Sequence, residues 1–388
     1  MLNKDRLLGI AILAAIFALA WWGTVKYIHK PVEDPHRKIV VFKEMSSRGE
    51  HETDLINSLG GKVINRLPVI GGIVALLPDN NALEEVTNYP SVAWVEDDFY
   101  ISGKINTEST ASLAGREISW PVDVGLVPGR DIVKVGVLDS GVDLNHPWLS
   151  QFLGEGINVL DPAVKPVDVL GHGTHVSGII ARTVGQISAH QVKVKIHPVK
   201  VFNYYGQAYL SDIIYGLQWC LEEDISVINM SFGTVRYSPA LERAVKKLNG
   251  EGAILIAAAG NKGPKKDSVL YPAKFTEVVA VNASDGTGNI AMYSSQGPEI
   301  IFIAPGTNIE STWKNGGYTK ETGTSMAAPQ VAGAAAVIMG LLGSVGQQEI
   351  VARLRRYTDD LNLPQECQGF GRINFDQFKE ELEHLTDI

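Results

Sequence analysis

The sequence predicts an α/β protein in which a mostly parallel sheet, covered by helices on both faces, follows a small α+β module. Two observations carry this. From about residue 130 onward, short apolar runs alternate with helical patterns, as in strands joined by crossover helices. Before that, residues 37–100 read in the order β-α-β-β-α-β, which fits a ferredoxin-like module.

In the small module, Arg37–Phe42 is a β-branched run and predicts a strand. His51–Leu59 reads as a helix stopped by Gly60-Gly61. Val63–Leu67 and Ile73–Leu77 read as strands separated by Pro68 and Gly71-Gly72. Asn81–Asn88 is a second helix, and Val92–Val95 a last strand. Residues 26–36 hold Pro31 and Pro35 and read as a linker; residues 101–115 are small, polar and turn-prone and read as a connector.

In the larger part, residues 116–388, strands are expected at Ile132–Leu138, Val192–Ile196 leading into Val199–Phe202, Ile225–Met230, Ala253–Ala259 and Val278–Val281. Helices are expected near His172–Ala181, Leu210–Leu221, Pro239–Asn249 and Ser325–Leu342. Ligand sites in such sheets gather at the carboxyl ends of the strands.

Composition narrows the class. The formal net charge of -9 argues against a nucleic-acid partner, which would call for a basic face. Cys220 and Cys367 allow one bridge at most and no metal-ligand spacing; two separate buried thiols is the plain reading. Lys4 and Arg6 precede an uncharged apolar run from Leu7 to Val25. Residues 1–25 fit a signal peptide with a small-residue cleavage site at Ala18-Leu19-Ala20, and equally a membrane anchor with Trp21 and Trp22 at the interface. Both put the rest of the chain outside the cytoplasm, secreted or anchored.

Three segments carry chemistry. Val135-Gly-Val-Leu-Asp139-Ser-Gly141 sets a carboxylate at the end of an apolar strand. Gly171-His172-Gly-Thr-His175 sets an imidazole at the start of a helix. Gly323-Thr-Ser325-Met-Ala-Ala-Pro329 sets a hydroxyl at the start of a very apolar helix. Serine needs an adjacent base, and the base needs a carboxylate to orient it. Each segment alone has an ordinary reading as a turn, a metal-binding His pair or an N-cap. The His pair lacks a third ligand and a helix-borne Glu, so no metal is expected there. Together, in the order Asp, His, Ser, the three leave little room for coincidence.

These segments resemble the active-site signatures of the subtilisin family, over roughly residues 116–388. The resemblance implies a subtilisin-like three-layer fold and a serine endopeptidase. In it Asp139 orients His172, His172 is general base and then acid, Ser325 is the nucleophile, and His175 takes no part. Ala257-Ala-Ala-Gly260-Asn261-Lys-Gly263 resembles the family's oxyanion segment, with Asn261 the side-chain donor beside the Ser325 N–H. Ser231, Phe232 and Gly233 resemble the strand lining the first specificity pocket, and Tyr205, Gly206 and Gln207 the edge that pairs with extended substrate. Residues 37–100 resemble the family's inhibitory propeptide, so the chain's own propeptide is an expected partner beside protein or peptide substrates. A gap-free tail puts self-cleavage near Lys104–Ile105.

Two departures from the family's pattern matter. Its tight calcium site uses an acidic residue shortly after the Asp; here that position is Trp148, and the loop Arg182–Lys195 has no acidic residue. Calcium needs several oxygen ligands, so that site is expected to be absent, no cofactor is required, and only weaker calcium sites remain open. Second, Lys262 is expected at the rim of the first pocket and Leu270 at its base, where the family often has Gly. A shallower pocket for small or acidic side chains follows, and it conflicts with a cut after Lys104. A peptide-binding pseudoenzyme, a cell-surface binding module and a carboxyl-serine peptidase are disfavoured, because all four chemical positions are filled and no adhesive or repeat domain is added.

Overall fold

The computed structural model describes residues 32–46, 49–103, 132–188 and 192–386. The expected signal or anchor segment, most of the linker and the Lys104–Ile105 cleavage site lie outside them.

Strands β1 (Arg37–Phe42), β2 (Lys62–Leu67), β3 (Gly72–Leu76) and β4 (Val92–Asp97) form an antiparallel sheet in the order β2-β3-β1-β4. That is the ferredoxin-like strand order. Helices α1 (Glu50–Ser58) and α2 (Asn80–Thr87) cover one face, with Asp79 capping α2 through Ala82 N–H. The period of two decides the rest. Along β1, Val40 and Phe42 turn toward Leu55, Ile56 and Val86 of the two helices. Ile39 and Val41 turn the other way, into a core shared with the larger part of the chain.

The next strand is β5 (Tyr100–Ser102), then β6 (Val133–Asp139), β7 (Ile157–Asn158), α3 (His172–Ser188), β8 (Val194–Lys200), β9 (Gln207–Tyr209) and α4 (Leu210–Glu222). Then come β10 (Val227–Met230), α5 (Pro239–Gly250), β11 (Ile254–Ala258), β12 (Val278–Ser284), β13 (Ile300–Pro305), the hairpin β14 (Ile309–Trp313) and β15 (Gly317–Glu321), and α6 (Thr324–Leu342). The chain ends with α7 (Gln347–Arg355), β16 (Thr358–Asp359), α8 (Gln365–Gln368), β17 (Arg372–Ile373) and α9 (Phe375–Thr386).

Nine strands pair in the order β16-β17-β13-β12-β11-β10-β6-β8-β7, all parallel except β16 against β17. Strands buried on both faces need continuous apolar runs. Ile254–Ala258 and Val278–Ser284 are buried at every position. Helices α3 and α6 pack on one face, and α4 and α5 on the other, between the large sheet and the small one. Among the described residues, α6 is the one helix long and apolar enough to cross a membrane; it is a core helix with 83% of its apolar window buried.

Three expectations need correction. Ile101 and Ser102, read as connector, belong to β5, which pairs antiparallel with β9: Tyr100 faces Tyr209, and Ser102 faces Gln207. The strand gains backbone pairing that its polar sequence does not advertise. Residues 182–188, read as the start of a loop, continue helix α3, because Ala181, Val184 and Ile187 keep its buried stripe going. The two runs around residues 192–202 make one strand, since Pro198 sits within β8 and its flanking strands still pair. Cys220 and Cys367 are separate, buried free thiols.

Candidate active site

Asp139 is the last residue of β6 and is almost wholly buried. Its carbonyl accepts the Val201 and Phe202 N–H groups at 2.9 and 3.2 Å, which pins the strand end to its neighbour. Ser140 N–H donates to its Oδ1 at 2.7 Å.

His172 opens α3. Gly171 before it has φ +106°, and a side chain there would run into the Trp313 ring, so only glycine fits this entry. Asp168 gathers the entry turn. Its Oδ1 accepts from Leu170 N (2.9 Å), Gly171 N (2.8 Å) and the Ser140 hydroxyl (2.8 Å). Its Oδ2 accepts from Thr174 N (2.9 Å) and the Thr174 hydroxyl (2.7 Å). His172 Nδ1 then lies 2.8 and 2.9 Å from the two Asp139 carboxylate oxygens. An acceptor-only carboxylate puts the proton on Nδ1 and leaves Nε2 with its lone pair in the neutral ring.

The ring is buried, which works against charging it. The Asp139 charge and hydrogen bond outweigh this, Asp168 and Glu321 add to them, and the pKa of His172 rises from its ordinary value. His175, one turn on, goes the other way: burial and the neighbouring His172 push it down to about 3. It stays a neutral core residue, with Nε2 3.2 Å from the Thr319 carbonyl and its ring edge toward Trp313.

Ser325 is the second residue of α6. Its hydroxyl donates to the Ser231 carbonyl at 3.0 Å, and the Ser231 hydroxyl donates back to the Ser325 carbonyl at 3.1 Å. Asn229 Nδ2 donates to that Ser231 hydroxyl oxygen at 2.9 Å. Asn261 follows β11, and its Oδ1 accepts both the Thr324 N–H and the Thr324 hydroxyl at 3.0 Å. With the oxygen end tied, the amide NH2 end is fixed beside Gly323.

A cleft of about 350 Å³ joins Ser231, Phe232, Gly233, Asn261, Leu270 and Ser325. Lys262 lies at it too. Leu270 presses on two glycines: a Cβ on Gly233 or Gly260 would come within 2.7 Å of it. Phe232 is mostly a core residue, edge-on to Phe202 at 5.5 Å. Gly206 and Gln207 meet β5 instead: the Gly206 carbonyl accepts Gly103 N–H at 3.0 Å, and Gln207 faces Ser102. Tyr100 and Ser102 of β5 reach into the same cleft as Ser325. Asp139 and His172 meet each other, while the Ser325 hydroxyl is held by Ser231.

Ser140, Asp168, Lys200 and Thr324 were not singled out from sequence. Each is an ordinary residue for a turn, cap or strand end, and only the folded chain shows what they hold.

Residues 130–371 match the Peptidase S8 model, described as the subtilase family. This chain belongs to the subtilase family. Subtilisin amylosacchariticus of Bacillus subtilis subsp. amylosacchariticus is 34% identical over 346 residues, 87% of this chain and 89% of that protein. A thermophilic serine proteinase of Bacillus sp. (strain AK1) is 31% identical over 363 residues, 91% of this chain and 86% of that one. Among solved structures, a lanthipeptide protease has 26% identity and a TM-score of 0.58, covering 64% of this chain and 87% of its own. The subtilase has the subtilisin-like fold and is a serine endopeptidase, a hydrolase acting on protein or peptide substrates.

Proposed function

We propose that this subtilase hydrolyses peptide bonds through an Asp139-His172-Ser325 triad and an acyl-enzyme, and that it is made as a zymogen that cuts itself. The observation that carries the reading is the His172 Nδ1–Asp139 pair at 2.8 Å, with a raised His172 pKa, at the carboxyl end of β6, on the side of the sheet where Asn261 follows β11. His172 Nε2 takes the Ser325 proton once the hydroxyl turns from the Ser231 carbonyl, and such bonds often tighten only with substrate in place. The tetrahedral oxyanion is met by Asn261 Nδ2 and the Ser325 N–H, free at the N-terminus of α6. His172 then returns the proton to the leaving amine, and water repeats the cycle on the acyl-enzyme.

Residues 37–100 act as the inhibitor. The pairing of β5 with β9 supports this, because a substrate recognised by strand addition would use the same edge. The enzyme acts outside the cytoplasm, whether residues 1–25 are a signal peptide or an anchor, and it needs no cofactor. One experiment tests the whole reading. The wild type should yield a shortened product that reacts with a fluorophosphonate probe, and Ser325→Ala a full-length, unlabelled chain. Equal sizes with no labelling would refute it, and the mature N-terminus by mass would fix the cleavage site.

A further inference from the structure

Among the described residues, Lys200 is the only lysine or arginine whose whole residue is buried, at 8% exposure. An ammonium taken out of water is costly unless something nearby compensates it. Lys200 ends β8 directly opposite Asp139, and its Nζ donates to the Ser140 carbonyl at 2.6 Å. Ser140 uses every polar group it has. Its N–H holds Asp139 Oδ1, its hydroxyl donates to Asp168 and accepts Gly173 N–H at 3.0 Å, and its carbonyl takes the Lys200 ammonium. One serine thus joins the Asp139 carboxylate, the first turn of the His172 helix, the Asp168 clamp and a buried cation.

The charges that act on the His172 ring are all negative, and Lys200 is a buried cation coupled to two of them, Asp168 and Asp139. Asp139 faces it from β6, Asp168 from the turn before α3 and Glu321 from the end of β15, and all three favour the imidazolium. His175 on the same helix is neutral. We propose that Lys200 is a positioning residue for the Asp139–His172 pair, braced to it through Ser140 and Asp168, and that its charge limits how strongly the surrounding carboxylates hold the imidazolium. This rests on the triad reading above. An imidazolium held too tightly is a poor acid for the leaving amine and demands a higher pH to act as base. Burial pulls the Lys200 pKa down, and Asp168 and Asp139 oppose that pull, so the same two carboxylates act on the lysine and on the imidazole.

The test uses the full chain with Lys200→Met, Lys200→Gln and Lys200→Arg, each normalised to the sites labelled by a fluorophosphonate so that folding losses drop out. Lys200→Gln keeps a donor for the Ser140 carbonyl but no charge, and decides the matter if Lys200→Met fails to fold. Both neutral variants should move the acidic limb of kcat/KM upward by about half a pH unit. They should lower kcat roughly three- to tenfold with KM little changed. Lys200→Arg should leave the limb where it is. An unmoved limb in Lys200→Gln, or the same movement in Lys200→Arg, overturns the proposal. Failure of the triad reading looks different, since the wild type itself would then not label.

Discussion

Asp98 closes the first turn of α4 from outside that part of the chain: its Oδ1 accepts Ser211 N–H at 2.9 Å and its Oδ2 the Ser211 hydroxyl at 2.7 Å. Arg37 grips the same carboxylate at 2.5 Å and lies over the Tyr209 ring. Glu96 does the like for α5, accepting Ala240 N–H at 2.9 Å. Each helix start has free N–H groups and a positive end, so each welcomes a carboxylate.

Losing Asp98 strands those donors. Asp98→Ala should cost about 1–3 kcal/mol of docking between the small sheet and α4. In the Ser325→Ala precursor, hydrogen exchange at the first amides of α4 should quicken by roughly tenfold or more. Unchanged protection there would show that Asp98 is ornamental.

Docking should depend on pH. Burial raises the pKa of Asp98, against the pull of Arg37, and of Glu96. Burial and the neighbouring Asp98 push Asp212 up to about 7. The docked form therefore holds protons more tightly than the separated one, and acid favours docking. For Asp212 the gain is full below its ordinary value of 3.8 and lost as pH rises through about 7. After processing, the small unit should co-elute with the enzyme at pH 5 and separate more readily at pH 8. The reverse trend would count against the assigned sign.

Asn261→Ala removes a donor whose other end is already anchored by Thr324. A fall in kcat of about 10²–10³-fold with KM nearly unchanged is expected, as for other oxyanion donors. Steady-state kinetics on a peptide substrate would check it, and a loss confined to KM would reassign Asn261 to binding.

Leu270→Gly should open the cleft that Leu270 now narrows against Gly233 and Gly260. Relative kcat/KM for large aromatic residues at the cleaved position should rise about tenfold over small ones. A peptide library scored on both forms measures this directly.

Chelation should leave the enzyme nearly unchanged. Trp148, which stands where an acidic calcium ligand would be expected from the resemblance, is buried against Phe152 with ring centroids 5.0 Å apart, and its side chain has no oxygen to offer a cation. Activity and Tm after EDTA treatment should match the untreated protein within error; a Tm drop of many degrees would reveal a calcium site elsewhere.

The sheet was legible because its strands are buried on both faces, so their sequences are unbroken apolar runs such as Ile254–Ala258. The proposed triad could be named from the sequence because Asp139, His172 and Ser325 each carry a local signature. β5 was not: three residues with a polar end have no period to read, and their partner strand β9 lies far along the chain. The same holds for Asp98 and Ser211, which are 113 residues apart. The β14–β15 hairpin and β13 were also unread, β13 because a six-residue apolar run is ambiguous on its own. Ser140, Asp168 and Lys200 were invisible for another reason. Their meaning lies in bonds to one another, and no one of them has a pattern around it.

Helix α6 is apolar all round, and it has α3 on one side and β10 to β13 on another. Such a segment has no tolerable place on an unfinished molecule. Ser325 therefore reaches its place only once the sheet and α3 are there to receive its helix. The solubility of the half-made chain and the placing of its serine thus hang on the same nineteen-residue helix.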